Sequence, residues 1–276
     1  MSLDVDAVSF TVIVAVRNGA RTIERCFESV FEQAHPRAEL IVIDGASTDE
    51  TPAIIERHDH AIAYWESKPD RGIAHAWNKA VDHATGDWLL FLGADDRLHD
   101  RDVLADMAGW LAPVPLTTTV AYGMVDVVGS DGVFRRSVGL PWSDVRGDFP
   151  SGMTIPHQGT FHRRSLFDRV GGFDEQYRIG ADYELLLREL PSNEPLYVDR
   201  LIADMGAGGI SDGLGALLAI AKETHRARVV HGLTSGPEWR DRAVVRARVI
   251  DVLSRTFGAD RTERARRTYR AVRGRP

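Results

Sequence analysis

Up to Gly93 the chain alternates short, β-branched apolar runs with helical apolar spacing, and few architectures accept that alternation. Ser9–Val16 (SFTVIVAV) reads as a buried strand that stops at the polar Arg17-Asn18-Gly19. Thr22–Gln33 then places Ile23, Phe27, Val30 and Phe31 on one helical face. Glu39–Asp44 (ELIVID) is a second buried strand, ending at Gly45-Ala46-Ser47. Ser47 and Glu50 stand at capping-box spacing before a helix through Arg57. Ala61–Glu66 predicts a third strand, Ile73, Trp77, Val81 and Ala84 a helical stripe, and Trp88–Gly93 (WLLFLG) a fourth strand. This order predicts an α/β fold, a mostly parallel sheet with helices on both faces. Such sheets bind ligands at the carboxyl ends of their strands. Those ends are Arg17-Asn18, Asp44-Gly45 and Ala94-Asp95-Asp96.

The second half is less regular. Val120–Val128 and Val133–Ser137 flank a Gly-Ser-Asp-Gly turn and predict a hairpin. Leu140–Pro156 reads as loop, Ser165–Val170 and Asp182–Leu190 as helices, and Leu196–Ile202 as a final strand. Glycines from Gly206 to Gly215 mark a junction, which divides the chain into residues 1–212 and a helical extension, 213–276. From Ala216 onward, 15 basic and 6 acidic side chains give +9, whereas the preceding residues carry 19 basic and 34 acidic, or −15. Two readings follow: a solvated basic face balancing an acidic body, or a surface for an acidic partner such as anionic lipid.

Cys26 is the one cysteine, so an intramolecular disulfide and a four-thiolate zinc site are excluded. The apolar runs fall well short of the ~20 residues that span a bilayer. The acidic N-terminus lacks a secretory pattern, which predicts a cytoplasmic protein. No dinucleotide, P-loop, zincin or serine-hydrolase motif occurs. The chemistry that remains is carboxylate chemistry. Asp95 and Asp96 are adjacent and repel each other, and a hard divalent cation would relieve that; a loop aspartate capping a helix near Arg101 is the alternative. Asp44 either accepts hydrogen bonds from a base or ribose or turns the chain. Asp182 precedes a helical run that it would cap, and His157 is a loop histidine or an active-site donor.

In order, the segments VIVAVRNGARTIERCFESVFEQ, ELIVIDGASTDET, SKPDRGIAHAWNKAVDHATGDWLLFLGADD, HQGTFHRRSLFDRVGGFDEQYRIGADYELLLREL and GGIS resemble the inverting glycosyltransferases of family 2. The resemblance covers about Ser9–Ser211 and is nearest to bacterial members that build surface polysaccharide. It implies the GT-A nucleotide-sugar fold, a Rossmann-like mixed sheet that is mostly parallel. It implies that Ala15 and Val16 at the first strand end, Asp44, and the Asp70-Arg71 to Asn78 segment form the donor pocket. Asp95-Asp96 matches the DXD motif, with Asp96 toward Mn²⁺ or Mg²⁺ and Asp95 toward the ribose or the metal. Asp182 matches the catalytic base, and His157 lies where the family places donor- or acceptor-facing residues. The frequent DDGS is here DGAS, and His75 stands where this subgroup often has aspartate.

The implied reaction moves a sugar from a nucleotide-sugar, a UDP-sugar by default, to a saccharide or lipid-linked acceptor, with no nucleic acid as partner. It would run in the cytoplasm or at the inner face of the cell membrane. The alternatives are a sugar-phosphate nucleotidyltransferase, which should carry a Gly-rich basic loop near the first strand, and a non-catalytic nucleotide-sugar-binding protein.

Overall fold

The computed structural model describes residues 7–129, 131–207, 213–258 and 262. The chain divides into two compact units, Met1–Ala207 and Gly208–Pro276. In the first, β1 (Phe10–Val16), α1 (Ile23–Phe31), β2 (Ala38–Asp44), α2 (Thr51–Arg57), β3 (Tyr64–Ser67), α3 (Ile73–His83) and β4 (Trp88–Gly93) follow in the expected order. There follow β5 (Arg97–Leu98), α4 (Val103–Leu111), β6 (Val120–Val128), β7 (Phe134–Val138), α5 (Trp142–Val145), β8 (Thr160–Arg163), α6 (Arg164–Val170), α7 (Ala181–Glu189) and β9 (Leu196–Gly206). The second unit holds α8 (Leu214–Val230) and α9 (Arg242–Phe257).

The sheet order is β3-β2-β1-β4-β8-β6-β9-β5, with β7 paired to β6. The first four strands are parallel. Antiparallel β8 then joins β4 to β6, while β6 and β9 run parallel. Alternation along β1 explains the layers, because successive side chains point to opposite faces. Phe10, Val12, Val14 and Val16 pack with Ile23, Cys26 and Phe27 of α1, Ile54 and Ile55 of α2, and Leu104 and Met107 of α4. On β4, Phe91 instead meets Trp77 of α3, with ring centroids 5.6 Å apart.

Several local expectations are corrected. No capping box forms at Ser47; α2 begins at Thr51, and Asp49 binds the Thr51 N–H and hydroxyl instead. β3 starts three residues late because Asp59–Ala61 winds into a 3₁₀ turn. The Leu140–Pro156 stretch contains the short helix α5, β5 and β8 were not anticipated, and β9 runs four residues past Ile202.

Phe27 is fully buried, its ring 5.8 Å from His58 and 6.1 Å from Phe31. Truncation there removes apolar contact and leaves a cavity. Phe27→Ala should cost about 3–5 kcal/mol in urea denaturation, with the denaturant slope unchanged.

Candidate active site

The chain runs outward from β1 through β2 to β3 and returns on the other side of β1 as β4. That reversal is a topological switch point, where open α/β sheets leave a crevice at the carboxyl ends of the strands. Register pairs Val16 with Asp44 and Ala15 with Gly93. The ends of β2, β1 and β4 therefore lie side by side, about 10 Å across at two strand spacings.

On the β2 side, two loops are laced together. The Asn18 N–H donates to Ser47 Oγ (2.6 Å), Thr48 N–H to Asn18 Oδ1 (2.8 Å), and Gly19 N–H to Thr51 Oγ1 (2.9 Å). The Gly45 N–H donates to the Val16 carbonyl at 2.8 Å. Asn18 and Ala46, both at φ +56°, are the only non-glycine residues with positive φ among those described. Asp44 is fully buried, and its carboxylate accepts from the Ser47 N–H and hydroxyl and from Ser67 Oγ. It thus holds the turn after β2. Asp70 Oδ2 lies against the Gly45 Cα, so a side chain at position 45 would collide with it.

Asp70, Arg71 and Asn78 sit at the start and first turns of α3. Asp70 accepts from Gly72 N–H (2.9 Å), and the Arg71 N–H donates to His75 Nδ1 (3.2 Å). His75 thereby serves the helix start with its ring nitrogen. Arg71 pairs with Glu175 at 2.5 Å. The Asn78 amide both donates to and accepts from the Phe173 backbone (2.9 and 2.8 Å). It clamps the loop that leads into α7.

On the β4 side stands the carboxylate pair. Asp96 is 2% exposed. Its Oδ2 accepts from Gly93 N–H (2.7 Å) and its Oδ1 from Gly206 N–H (3.0 Å), while the Gln158 side chain also reaches it. Burial and the neighbouring Asp95 charge push its carboxyl up to about 7, against the pull of those donors. Helix α1 supports the loop from outside: Arg25 donates to the Asp95 carbonyl (3.1 Å), and Ser29 Oγ receives the Leu98 N–H (3.1 Å). On β9, Asp204 pairs with Arg97 (2.5 Å) and His99 (2.8 Å). Asp204 was not singled out from sequence, and Gly206 was read only as a junction glycine; both come to the site on β9, whereas Gln158 sits in the 3₁₀ turn with His157.

The donor set suits Mg²⁺ or Mn²⁺, which take one or two protein carboxylates and complete their shell with substrate oxygens. Each Asp96 oxygen accepts one backbone N–H bond, and with the Gln158 side chain at one of them the other retains a lone pair. No cluster of three or more protein ligands occurs among the described residues, so protein alone would not complete the shell.

His157 lies in a 3₁₀ turn at the sheet's edge of this site, against Trp77 (4.6 Å) and Phe91 (5.5 Å). Burial pushes it down to about 3, and neither ring nitrogen has a hydrogen-bond partner. Its side chain is buried among these rings. Asp182 lies in the first turn of α7, whose N-cap is Gly180, and its Oδ1 accepts from Tyr183 N–H (2.8 Å). Glu184, one turn's reach away, is taken by Arg188 (2.9 Å).

A profile of glycosyl transferase family 2 matches residues 11–162, which run from β1 into β8. The chain is a family 2 glycosyltransferase. It is 33% identical over 222 residues to a PGL/p-HBAD biosynthesis glycosyltransferase of Mycobacterium bovis, covering 75% of this chain and 80% of that one. Its fold is similar to that of S. aureus TarS in complex with UDP-GlcNAc, at TM-score 0.61 and 19% identity over 83% of this chain and 68% of that one. It is also similar to the mannosyltransferase PcManGT of Pyrobaculum calidifontis, solved with GDP-Man and Mn²⁺, at TM-score 0.61 and 22% identity over 97% of this chain and 76% of that one. The GT-A sheet and an activity in glycan biosynthesis follow from this membership, and the nucleotidyltransferase alternative falls away.

The Asp96 carboxyl, at about 7 in the folded chain, lies above the ordinary 3.8, so between those pH values the folded chain holds a proton that the unfolded chain has lost. Stability of the cation-free protein should fall as pH rises from about 4 to about 7 and then level off. Denaturation across that range should show the fall shrinking in Asp96→Asn. At Gly206, an added Cβ would stand 2.9 Å from Asp95 Oδ2 and from the Asp95 carbonyl. Gly206→Ala should destabilise by about 1–3 kcal/mol in thermal melts and displace the pair, lowering turnover.

Proposed function

We propose that this enzyme transfers a sugar, with inversion at the anomeric carbon, from a nucleoside diphosphate sugar to a hydroxyl of a saccharide or lipid-linked acceptor. The observation that carries the reading is the fixed Asp95-Asp96 pair at the end of β4, beside the ends of β1 and β2 at the switch point. Glycosyl transfer needs the leaving diphosphate stabilised, the acceptor hydroxyl deprotonated and the two aligned. Mn²⁺ or Mg²⁺ on Asp96 and Asp95 would neutralise charge on the leaving diphosphate. The backbone of Ala15 and Val16 and the turn held by Asp44 shape the base and ribose side of the pocket. Asp70 fixes that turn against α3. Arg71, through Glu175, and Asn78, through Phe173, hold the wall between donor and acceptor. His157 fills the floor.

Asp182 serves as the base. Its carboxylate takes the proton from the acceptor oxygen as that oxygen attacks the anomeric carbon from the side opposite the diphosphate. Inversion needs only this one carboxylate and no covalent sugar intermediate. The N-terminal end of α7 favours its ionised form. The sugar nucleotide is open between uridine and guanosine donors, since TarS holds UDP-GlcNAc and PcManGT holds GDP-Man. UDP-sugars are the first to test.

Asp182→Asn retains size and polarity but cannot take the proton. Turnover should fall about 10²–10⁴-fold while donor affinity, read by calorimetry, stays near that of the parent. A variant with near-normal turnover would remove Asp182 from the mechanism.

A further inference from the structure

Helix α9 is docked by one face and bare on the other. Its Asp241 cap accepts from Ala243 N–H (2.8 Å) and pairs with His225 (3.0 Å) and Arg228 (2.8 Å) of α8. Val244 and Ala247 are buried on that side. On the opposite side, Val245, Val249, Val252, Leu253 and Phe257 are all exposed, between 41% and 58%. Their spacing is that of one continuous helical stripe about three turns long. A helix placed only to carry charge would not keep large apolar side chains in register on its solvent side.

Basic residues accompany the stripe. Arg242 and Arg246 stand on the same face as the apolar residues toward its N-terminal end, and Arg248, paired with Glu238 at 3.1 Å, and Arg255 flank it on one side. Asp251 is the one acidic residue within the helix, and it is held by Arg255 at 3.1 Å. Just ahead lies Trp239, 60% exposed, with the Arg240 guanidinium 4.7 Å over its ring. An apolar stripe edged by arginines, with tryptophan at its end, matches the layered chemistry of a bilayer surface: acyl boundary in the middle, anionic headgroups at the edges. No helix among the described residues is long and apolar enough to cross a membrane.

We propose that the outward face of α9 lies on an anionic lipid bilayer, with its apolar side chains at the acyl boundary and its arginines on the headgroups. The proposal does not depend on the donor or on the identity of the base. Its charge component weakens with salt, and its apolar component does not.

The test is flotation of the full chain with phosphatidylcholine vesicles, with and without phosphatidylglycerol, at low and high salt. The chain should float with the anionic vesicles, and salt should reduce the bound fraction. The double substitutions Val249→Asp/Leu253→Asp and Arg242→Glu/Arg246→Glu should each lower it about tenfold or more. All these positions are exposed, and circular dichroism melts verify that each variant folds. A Val249→Cys variant carrying an environment-sensitive dye gives a second reading, since Cys26 is buried and will not label. The dye emission should shift to the blue on anionic vesicles. Absence of flotation at low salt, or flotation unchanged by the apolar pair, overturns the proposal. So does a chain that light scattering shows to be a dimer dissociated by Val249→Asp/Leu253→Asp, because the stripe would then seat a second copy.

Discussion

Two carboxylates side by side at the end of a buried strand oppose folding unless something holds them, and the rest of this site is built around holding them. Raising the Asp96 carboxyl from 3.8 to about 7 reflects roughly 4 kcal/mol against its ionised form. Two backbone N–H groups oppose that penalty, from Gly93 within the same turn and from Gly206, which is 110 residues away. Both positions need glycine, because a Cβ at either would stand within 2.9 Å of a carboxylate oxygen. Arg25 and Ser29 of α1 brace one side of the loop, and the Asp204 pair with Arg97 and His99 braces the other. The pair is thus held in place by the fold, and its unfavourable charge would favour the cation proposed for it.

The opposite wall uses a different device. Its loops are fixed by short hydroxyl and amide side chains, Asn18, Ser47, Thr51 and Ser67, that satisfy backbone donors and one buried carboxylate. Two of the backbone positions there are left-handed, and alanine at 46 has no side-chain compensation for that conformation. Local strain of this kind persists where surrounding bonds over-determine the loop. The result is a closely braced turn at the ends of β1 and β2.

Much of this was readable from the chain itself. β1, β2 and β4 each carry a nearly continuous apolar run, so their bounds fall within a residue of those expected. The polar strand ends and the Asp95-Asp96 pair were also visible. What escaped were features made by distant pairing. β8 reads Thr-Phe-His-Arg, which carries no apolar run, yet Thr160 and His162 are buried because the strand is inserted between β4 and β6. β9 continues past Ile202 through an acid, Asp204, that is tolerated only because Arg97 and His99 meet it. Ser47 had the spacing of a helix cap but is taken by Asp44 and Asn18, a competition that only the folded loops reveal. The two bonds of the Asn78 amide to the Phe173 backbone, 95 residues away, were likewise invisible in the sequence.

The central claim is that the Asp95-Asp96 pair binds nucleotide through a divalent cation. It is tested most directly by thermal shift of the parent chain and of Asp96→Asn with UDP-, GDP- and dTDP-sugars, each in Mn²⁺ and in EDTA. A ligand at about 100-fold its Kd adds roughly 2.7 kcal/mol of stability, which is easily read as a shift in Tm. The account predicts that one nucleotide class stabilises the parent strongly in Mn²⁺, far less in EDTA, and that Asp96→Asn loses the difference. Equal stabilisation in EDTA, or an Asp96→Asn response identical to the parent, would contradict it.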